Sequence, residues 1–158
     1  MKEREYCFKT RNLEKCKTFC LKNGFSLVSE SQQTRTIFRK ADKTMARITE
    51  DKTKNCSVFS LDFKEDKLSS NVLNVRKESK ALVFDDLDAV LSVLDFLNYS
   101  KDNVLNRTRF VFEKDSIICE IDIYDFQKDE VVVSIEGQDY VGVDAFYKKF
   151  MEYTNKNE

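Results

Sequence analysis

Residues 104–124 read VLNRTRFVFEKDSIICEIDIY. On either side of the polar break at Lys114-Asp115 the residues alternate, which is the period of a β-strand. In the first half, Arg107, Arg109 and Glu113 share one face and Phe110 and Phe112 the other. In the second, Glu120 and Asp122 oppose Cys119 and Ile121. A break this short favours antiparallel neighbours over a wound parallel sheet, because parallel strands need a long crossover.

The same period recurs outward from this stretch. Residues 2–9 place Glu3, Glu5, Cys7 and Lys9 on one face and Arg4, Tyr6 and Phe8 on the other. Residues 25–38 read loosely as a strand. Residues 44–50 and 55–63 read as a pair around Asp51-Lys52-Thr53-Lys54, with Phe59, Leu61 and Phe63 on one face. Residues 71–84 read as one long strand and 130–136 as a last one. Three helices interrupt the strands. Residues 12–22 carry Leu13, Cys16, Phe19 and Cys20 at helical spacing, and Gly24 supplies the stop. Asp85-Asp86 offers an N-cap to a helix whose stripe of Leu87, Val90, Leu91, Leu94 and Leu97 reads as core packing. Phe146, Phe150 and Tyr153 lie along one side of a C-terminal helix. The order β-α-β-β-β-β-α-β-β-β-α gives eight strands on 158 residues. The expectation is an α+β chain forming a single domain over 1–158, with the sheet as its core.

Composition narrows the chemistry. Lys and Arg number 27 against 28 Asp and Glu, so neither a basic nucleic-acid footprint nor an acidic tail is present. The chain has no His, which excludes imidazole catalysis, histidine metal sites and most hydrolase triads. Its three glycines, Gly24, Gly137 and Gly142, cannot spell a Walker A loop or a G-x-G-x-x-G turn. Phosphate chemistry would have to rest on side-chain charge. Five cysteines, an odd number, argue against a disulfide framework, and Cys16 and Cys20 read as core residues. The charged opening Met1-Lys2-Glu3-Arg4-Glu5 and the short apolar runs suggest a cytosolic protein without membrane contact.

Strand after strand pairs an apolar face with a face carrying both signs of charge: Glu3 and Glu5, then Arg47, then Arg76, Glu78 and Lys80, then Arg107 and Arg109, then Asp122, then Glu136. One reading is a sheet with a solvated face. The other is a sheet curled until the charged faces converge. Clustered carboxylates call for a hard cation and clustered guanidiniums for phosphate oxygens. Glu113, Glu120 and Glu130 read as solvated rather than as ligands.

The series Glu3-x-Glu5, Arg47-Ile48, Arg76-Lys77-Glu78, Arg107-x-Arg109, Ile121-Asp122 and Ile135-Glu136 resembles the CYTH superfamily, the group of class IV adenylate cyclases, thiamine triphosphatases and other triphosphate tunnel metalloenzymes. The resemblance implies an eight-stranded antiparallel β tunnel with about three flanking helices. It implies triphosphate binding by Arg47, Arg76, Arg107 and Arg109, with Lys9 and Lys80 as further basic candidates. It also implies that Glu3, Glu5, Glu78, Asp122 and Glu136 hold Mg²⁺ or Mn²⁺. The chain departs from the family pattern in places. Cys7 stands where a lysine is expected, with Lys9 roughly 7 Å further along the same face. Thr49 stands for the second central basic residue, Ser134 for the first acid of the closing pair, and Arg35 near an expected acid. A basic residue expected on the fourth strand falls near Asp62 or Lys64.

Three functions follow as expectations. The first is metal-dependent hydrolysis of ATP, thiamine triphosphate or tripolyphosphate, or a class IV cyclase reaction. The second is a degenerate tunnel that binds a nucleotide or polyphosphate without turnover. The third, an RNA triphosphatase, is opposed by the near-zero net charge. The protein is expected to be a monomer or a homodimer.

Overall fold

The structure, a computed structural model, describes residues 2–67 and 71–156, with side chains from residue 4 onward. Its strands and helices follow the order β1 (Lys2–Thr10), α1 (Leu13–Lys22), β2 (Ser26–Arg39), β3 (Thr44–Thr53), β4 (Cys56–Glu65), β5 (Leu73–Lys77), β6 (Leu82–Phe84), α2 (Leu87–Phe96), β7 (Ser100–Lys114), β8 (Ile117–Tyr124), β9 (Val131–Gly137) and α3 (Tyr140–Asn155). All pairings are antiparallel, in the spatial order β5-β1-β9-β8-β7-β2-β3-β4-β6. The sheet has nine strands, where eight were expected, because residues 71–84 are two short strands rather than one long one. The first, β5, pairs with β1 and the second, β6, with β4. Between them Glu78 bridges to Lys64, and the Ser79 N–H donates to the Phe63 carbonyl at 2.9 Å. One stretch of chain thus crosses from one end of the curled sheet to the other, which a single straight strand could not do.

Alternation then sorts the side chains into an outside and an inside. On β8, Ile117, Cys119 and Ile121 are buried against the helices while Glu120, Asp122 and Tyr124 face the interior. Helices α1 and α3 cover β1, β7, β8 and β9, and Phe19, Phe146 and Phe150 pack there against Phe8, Phe112 and Val133. Cys16 and Cys20 lie in this core at 1% and 0% exposure. Burial pushes the Cys16 thiol up to about 12, so it stays protonated and unreactive. A smaller core of Phe38, Ala46, Ile48, Leu61, Leu94 and Tyr99 lies under α2. Of the leucine stripe on α2, Leu94 is buried and Leu87 and Val90 pack beside it. Leu91 and Leu97 are exposed, so the expectation that the whole stripe packs is corrected. The helix meets this smaller core along only part of its length.

The ends of these helices follow from local chemistry. The side chains of Asn12, Asp86 and Asp139 accept hydrogen bonds from the N–H groups of Lys15, Ala89 and Gly142, each capping a helix start. Gly24, at φ 85°, turns the chain out of α1. At Gly137 a Cβ would meet the Ser116 carbonyl oxygen at 2.4 Å, so only glycine lets β9 pass the β7–β8 turn.

Candidate functional site

The inward faces enclose a cavity of about 330 Å³ lined by six cationic and six anionic side chains. Of the residues singled out in the sequence, Arg47, Arg76, Arg107, Arg109, Glu5, Glu78, Asp122 and Glu136 line it. The backbone of Glu3 pairs with Arg76, but its side chain lies outside the described residues. Lys9 and Lys80 do not line the cavity. Lys9 sits near the end of β1, two-thirds exposed, and pairs with Glu130 at 2.8 Å rather than reaching back along the strand. Lys80 is exposed at the crossing between β5 and β6, where the chain no longer follows the inward face.

Two arginines on β7 are held rigidly. Arg109 makes a fork with Asp122, Nε to Oδ1 and Nη2 to Oδ2, both at 2.8 Å, and its Nη1 lies 2.8 Å from Glu120. Arg107 donates through Nε and Nη2 to the Gln33 side-chain oxygen at 2.9 and 2.8 Å, and through Nη1 to the Tyr124 hydroxyl at 3.1 Å. Its Nη1 also reaches Asp122 Oδ2 at 3.4 Å. Burial works to raise the Asp122 carboxyl, but the hydrogen bonds and charge of Arg109, then the charge of Arg107, hold it below the usual carboxylate range. Both Asp122 oxygens are engaged by these two arginines, which the acid orients.

The facing wall is paired differently. Arg47 donates to Asp62 at 2.9 Å and also contacts Glu78. Lys64, 4% exposed, lies 3.1 Å from Glu5 and 3.3 Å from Glu78. The Ser134 hydroxyl donates to Glu5 at 3.2 Å, and Arg76 stands 3.7 Å from the same carboxylate. Burial opposes ionisation of Glu5, but Lys64 and then Arg76 outweigh it and its carboxyl is held low. The Arg76 Nε is buried and has no hydrogen-bond partner among the described residues.

Arg35 is the exception in this network. Its Nε donates to the Thr49 hydroxyl at 3.1 Å, and no described carboxylate lies within ion-pair distance of it. Burial, then the charges of Arg107, Arg47 and Arg109, push its guanidinium down to about 9. It is therefore still cationic at neutral pH, but its charge opposes folding. The Arg35 charge and the Arg76 Nε–H thus lack a matching partner among the described residues, and both residues line the cavity.

Tyr124 lines the cavity without having been singled out in the sequence, and Asp62, Lys64 and Arg35, met there only near expected family positions, line it too. Glu120, expected to be solvated, pairs with Arg109. The alternation on β4 places Asp62 and Lys64 inward together, but that strand runs two residues past its expected end, and the last inward residue is Lys64.

The departures from the family pattern fall into facing pairs. Cys7 and Ser134 are register partners across β1 and β9. There the resemblance leads one to expect a lysine facing a glutamate, so one ion pair is absent and the charge balance is unchanged. Arg35 and Thr49 are register partners across β2 and β3. There an acid facing a base is expected, so the positive charge has moved one strand over and its carboxylate is missing.

Among the described residues, no three Asp, Glu or Cys side chains converge into a ready cage. Glu5 and Glu136 are register partners on the cavity face, which sets their Cβ atoms about 5 Å apart. Magnesium is commonly held by one or two carboxylates together with substrate phosphates, and this pair suits that mode.

No family model matches the chain, and no curated protein matches it. Solved structures do. The PH1012 protein from Pyrococcus horikoshii superposes with a TM-score of 0.75 at 13% identity, covering 97% of this chain and 90% of its own. HpAC1 from Hippeastrum, a candidate adenylyl cyclase with a dominant triphosphatase activity, gives 0.66 at 15% identity, covering 97% and 88%. A chain of the Schizosaccharomyces pombe Mediator head module gives 0.64 at 7% identity, covering 96% and 92%. Among the described residues no helix is long and apolar enough to cross a membrane. The curled antiparallel sheet with its three flanking helices is thus a fold that the chain shares with these solved structures.

Proposed function

We propose that the cavity binds the triphosphate of a small molecule, such as ATP, thiamine triphosphate or tripolyphosphate, with Mg²⁺ or Mn²⁺, and hydrolyses it. The observation that carries this reading is Arg35, a cationic side chain beside three other arginines with no carboxylate in contact. Keeping such a charge half-buried among like charges is costly unless an anion meets it. The lining charges balance, so binding must exchange partners rather than rely on net attraction. Phosphate oxygens would draw Arg47 from Asp62 and Glu78, and Arg76 from Glu5. The freed carboxylates would then need a cation, and Glu5 and Glu136 would hold it. When bound, that cation supplies charge neutralisation on the phosphates and acidifies a coordinated water. The chain's own part is to neutralise the terminal phosphate while a water displaces the remainder in line. Arg109 suits that task, because its fork with Asp122 fixes it before the ligand arrives. We take the protein to act in the cytoplasm as a monomer or homodimer.

The test is incubation with tripolyphosphate, ATP and thiamine triphosphate, each with Mg²⁺ and with Mn²⁺, read as released phosphate, pyrophosphate and cyclic AMP. Phosphate release supports hydrolysis, and cyclic AMP with pyrophosphate supports a class IV cyclase reaction. A second reading, binding without turnover, is favoured by Ser134 and Arg35 standing where the resemblance leads one to expect acids. It predicts thermal stabilisation by the same ligands with no product. Neither product nor stabilisation with any ligand would reject both readings.

A further inference from the structure

One residue lining the cavity carries an aromatic ring. Tyr124, the last residue of β8, contributes its ring to the lining, and its hydroxyl accepts from Arg107. Two residues on, the ring of Phe126 lies 5.4 Å from that of Tyr124, tilted by 40°. Phe126 is nevertheless 72% exposed. Its position is not that of a slack loop. The Gln127 N–H donates to the Tyr124 carbonyl at 3.1 Å, and the Asp125 N–H to the Asn106 carbonyl at 3.0 Å. These two bonds close a turn that folds Phe126 back toward Tyr124. Phe96 on α2 is also exposed, but it lines no part of the cavity. Phe126 differs because the tilted ring contact it makes is with a residue of the site wall.

Resting on the triphosphate reading above, we infer that Tyr124 and Phe126 form a shelf for a flat aromatic ring, so that the ligand is a triphosphate ester of a heteroaromatic compound rather than inorganic tripolyphosphate. The arginine cluster reaches this shelf directly, since the Arg107 Cζ is 5.8 Å from the centre of the Tyr124 ring. An aromatic face stacks on another with little regard to the identity of the base, and a cation beside the stack strengthens it. The shelf therefore selects for a ring and leaves its kind open.

Titration calorimetry with Mg²⁺ present tests this on wild type, Phe126→Ala and Phe126→Trp, using tripolyphosphate, ATP, CTP and thiamine triphosphate. Tripolyphosphate has no ring but more charge, so the informative quantity is how each ester's affinity changes relative to it. Phe126→Ala should weaken at least one ester about five- to hundredfold and leave tripolyphosphate unchanged, and Phe126→Trp should restore the loss. The ester that loses most identifies the ring. An equal loss for tripolyphosphate, or no loss for any ester, overturns the shelf while leaving the triphosphate reading in place. Failure of wild type to bind tripolyphosphate and every ester overturns that reading, and the shelf with it.

Discussion

The two walls of the tunnel are built to different standards. The wall of β1, β7, β8 and β9 carries two helices and a core of sixteen buried residues. The wall under α2 buries six. The charges inside follow the same division. Behind the thick wall, Arg107 and Arg109 are fixed by fork and amide contacts. On the thin wall, Arg47 and Lys64 share Glu78, and Arg35 has no carboxylate in contact. The difference suggests a division of labour, in which Arg107 and Arg109 on the thick wall are preset donors, while Arg47 on the thin wall and Arg76 on β5, at the sheet edge beside β1, exchange partners when a ligand enters.

The largest test of this contrast is in the cores. Phe112→Ala should cost about 3–5 kcal/mol in denaturant unfolding, because Phe112 is fully buried between sheet and helices. Leu94→Ala should cost about 2–3 kcal/mol, the low end for such changes, because α2 has exposed neighbours and can settle inward. A larger loss from Leu94 would reverse the assignment of thick and thin. Among the charges, Asp122→Asn should cost about 3 kcal/mol, since it strips both fixed arginines of their shared carboxylate. Glu78→Gln should cost nearer 1 kcal/mol, because Arg47 keeps Asp62 and Lys64 keeps Glu5. Equal losses would show that the walls do not differ in this respect.

Ligand binding gives the next effect. At a hundredfold excess over Kd, tripolyphosphate with Mg²⁺ should raise the unfolding midpoint by roughly 5–10 °C, from about 2.7 kcal/mol of linkage. The smallest is the pH response without ligand. Glu5, Asp62 and Asp122 have carboxyls held below their unfolded values. Their contribution to stability is therefore complete above about pH 5 and is lost as pH falls through the unfolded and then the lower folded values. Thermal midpoints measured from pH 7 downward should stay level and then drop below about pH 5, and Asp122→Asn should make that drop shallower.

Much of this architecture was legible because alternation is a local signal. On β8 the order of Cys119, Glu120, Ile121 and Asp122 already separates outside from inside. The pairing across strands was not, because register is set by contacts distant in sequence. Cys7 and Thr49 looked like independent losses until the register placed Ser134 and Arg35 opposite them. Lys9 and Lys80 share the right face by parity, yet both lie where the chain leaves the tunnel, and parity cannot show where a strand ends. The division of residues 71–84 was hidden for a similar reason, since only the geometry of the curled sheet requires the chain to change partners there.

Arg35→Met tests the central claim most directly, because ligand affinity and unliganded stability should move in opposite directions. Removing a half-buried charge that three arginines repel should leave the unliganded midpoint unchanged or raise it by a few degrees, as about 1 kcal/mol would do in a chain of this size. The same substitution should weaken tripolyphosphate binding at least tenfold. A lower midpoint with unchanged binding would mean that Arg35 serves the fold, and the cavity would lose its strongest claim to a triphosphate.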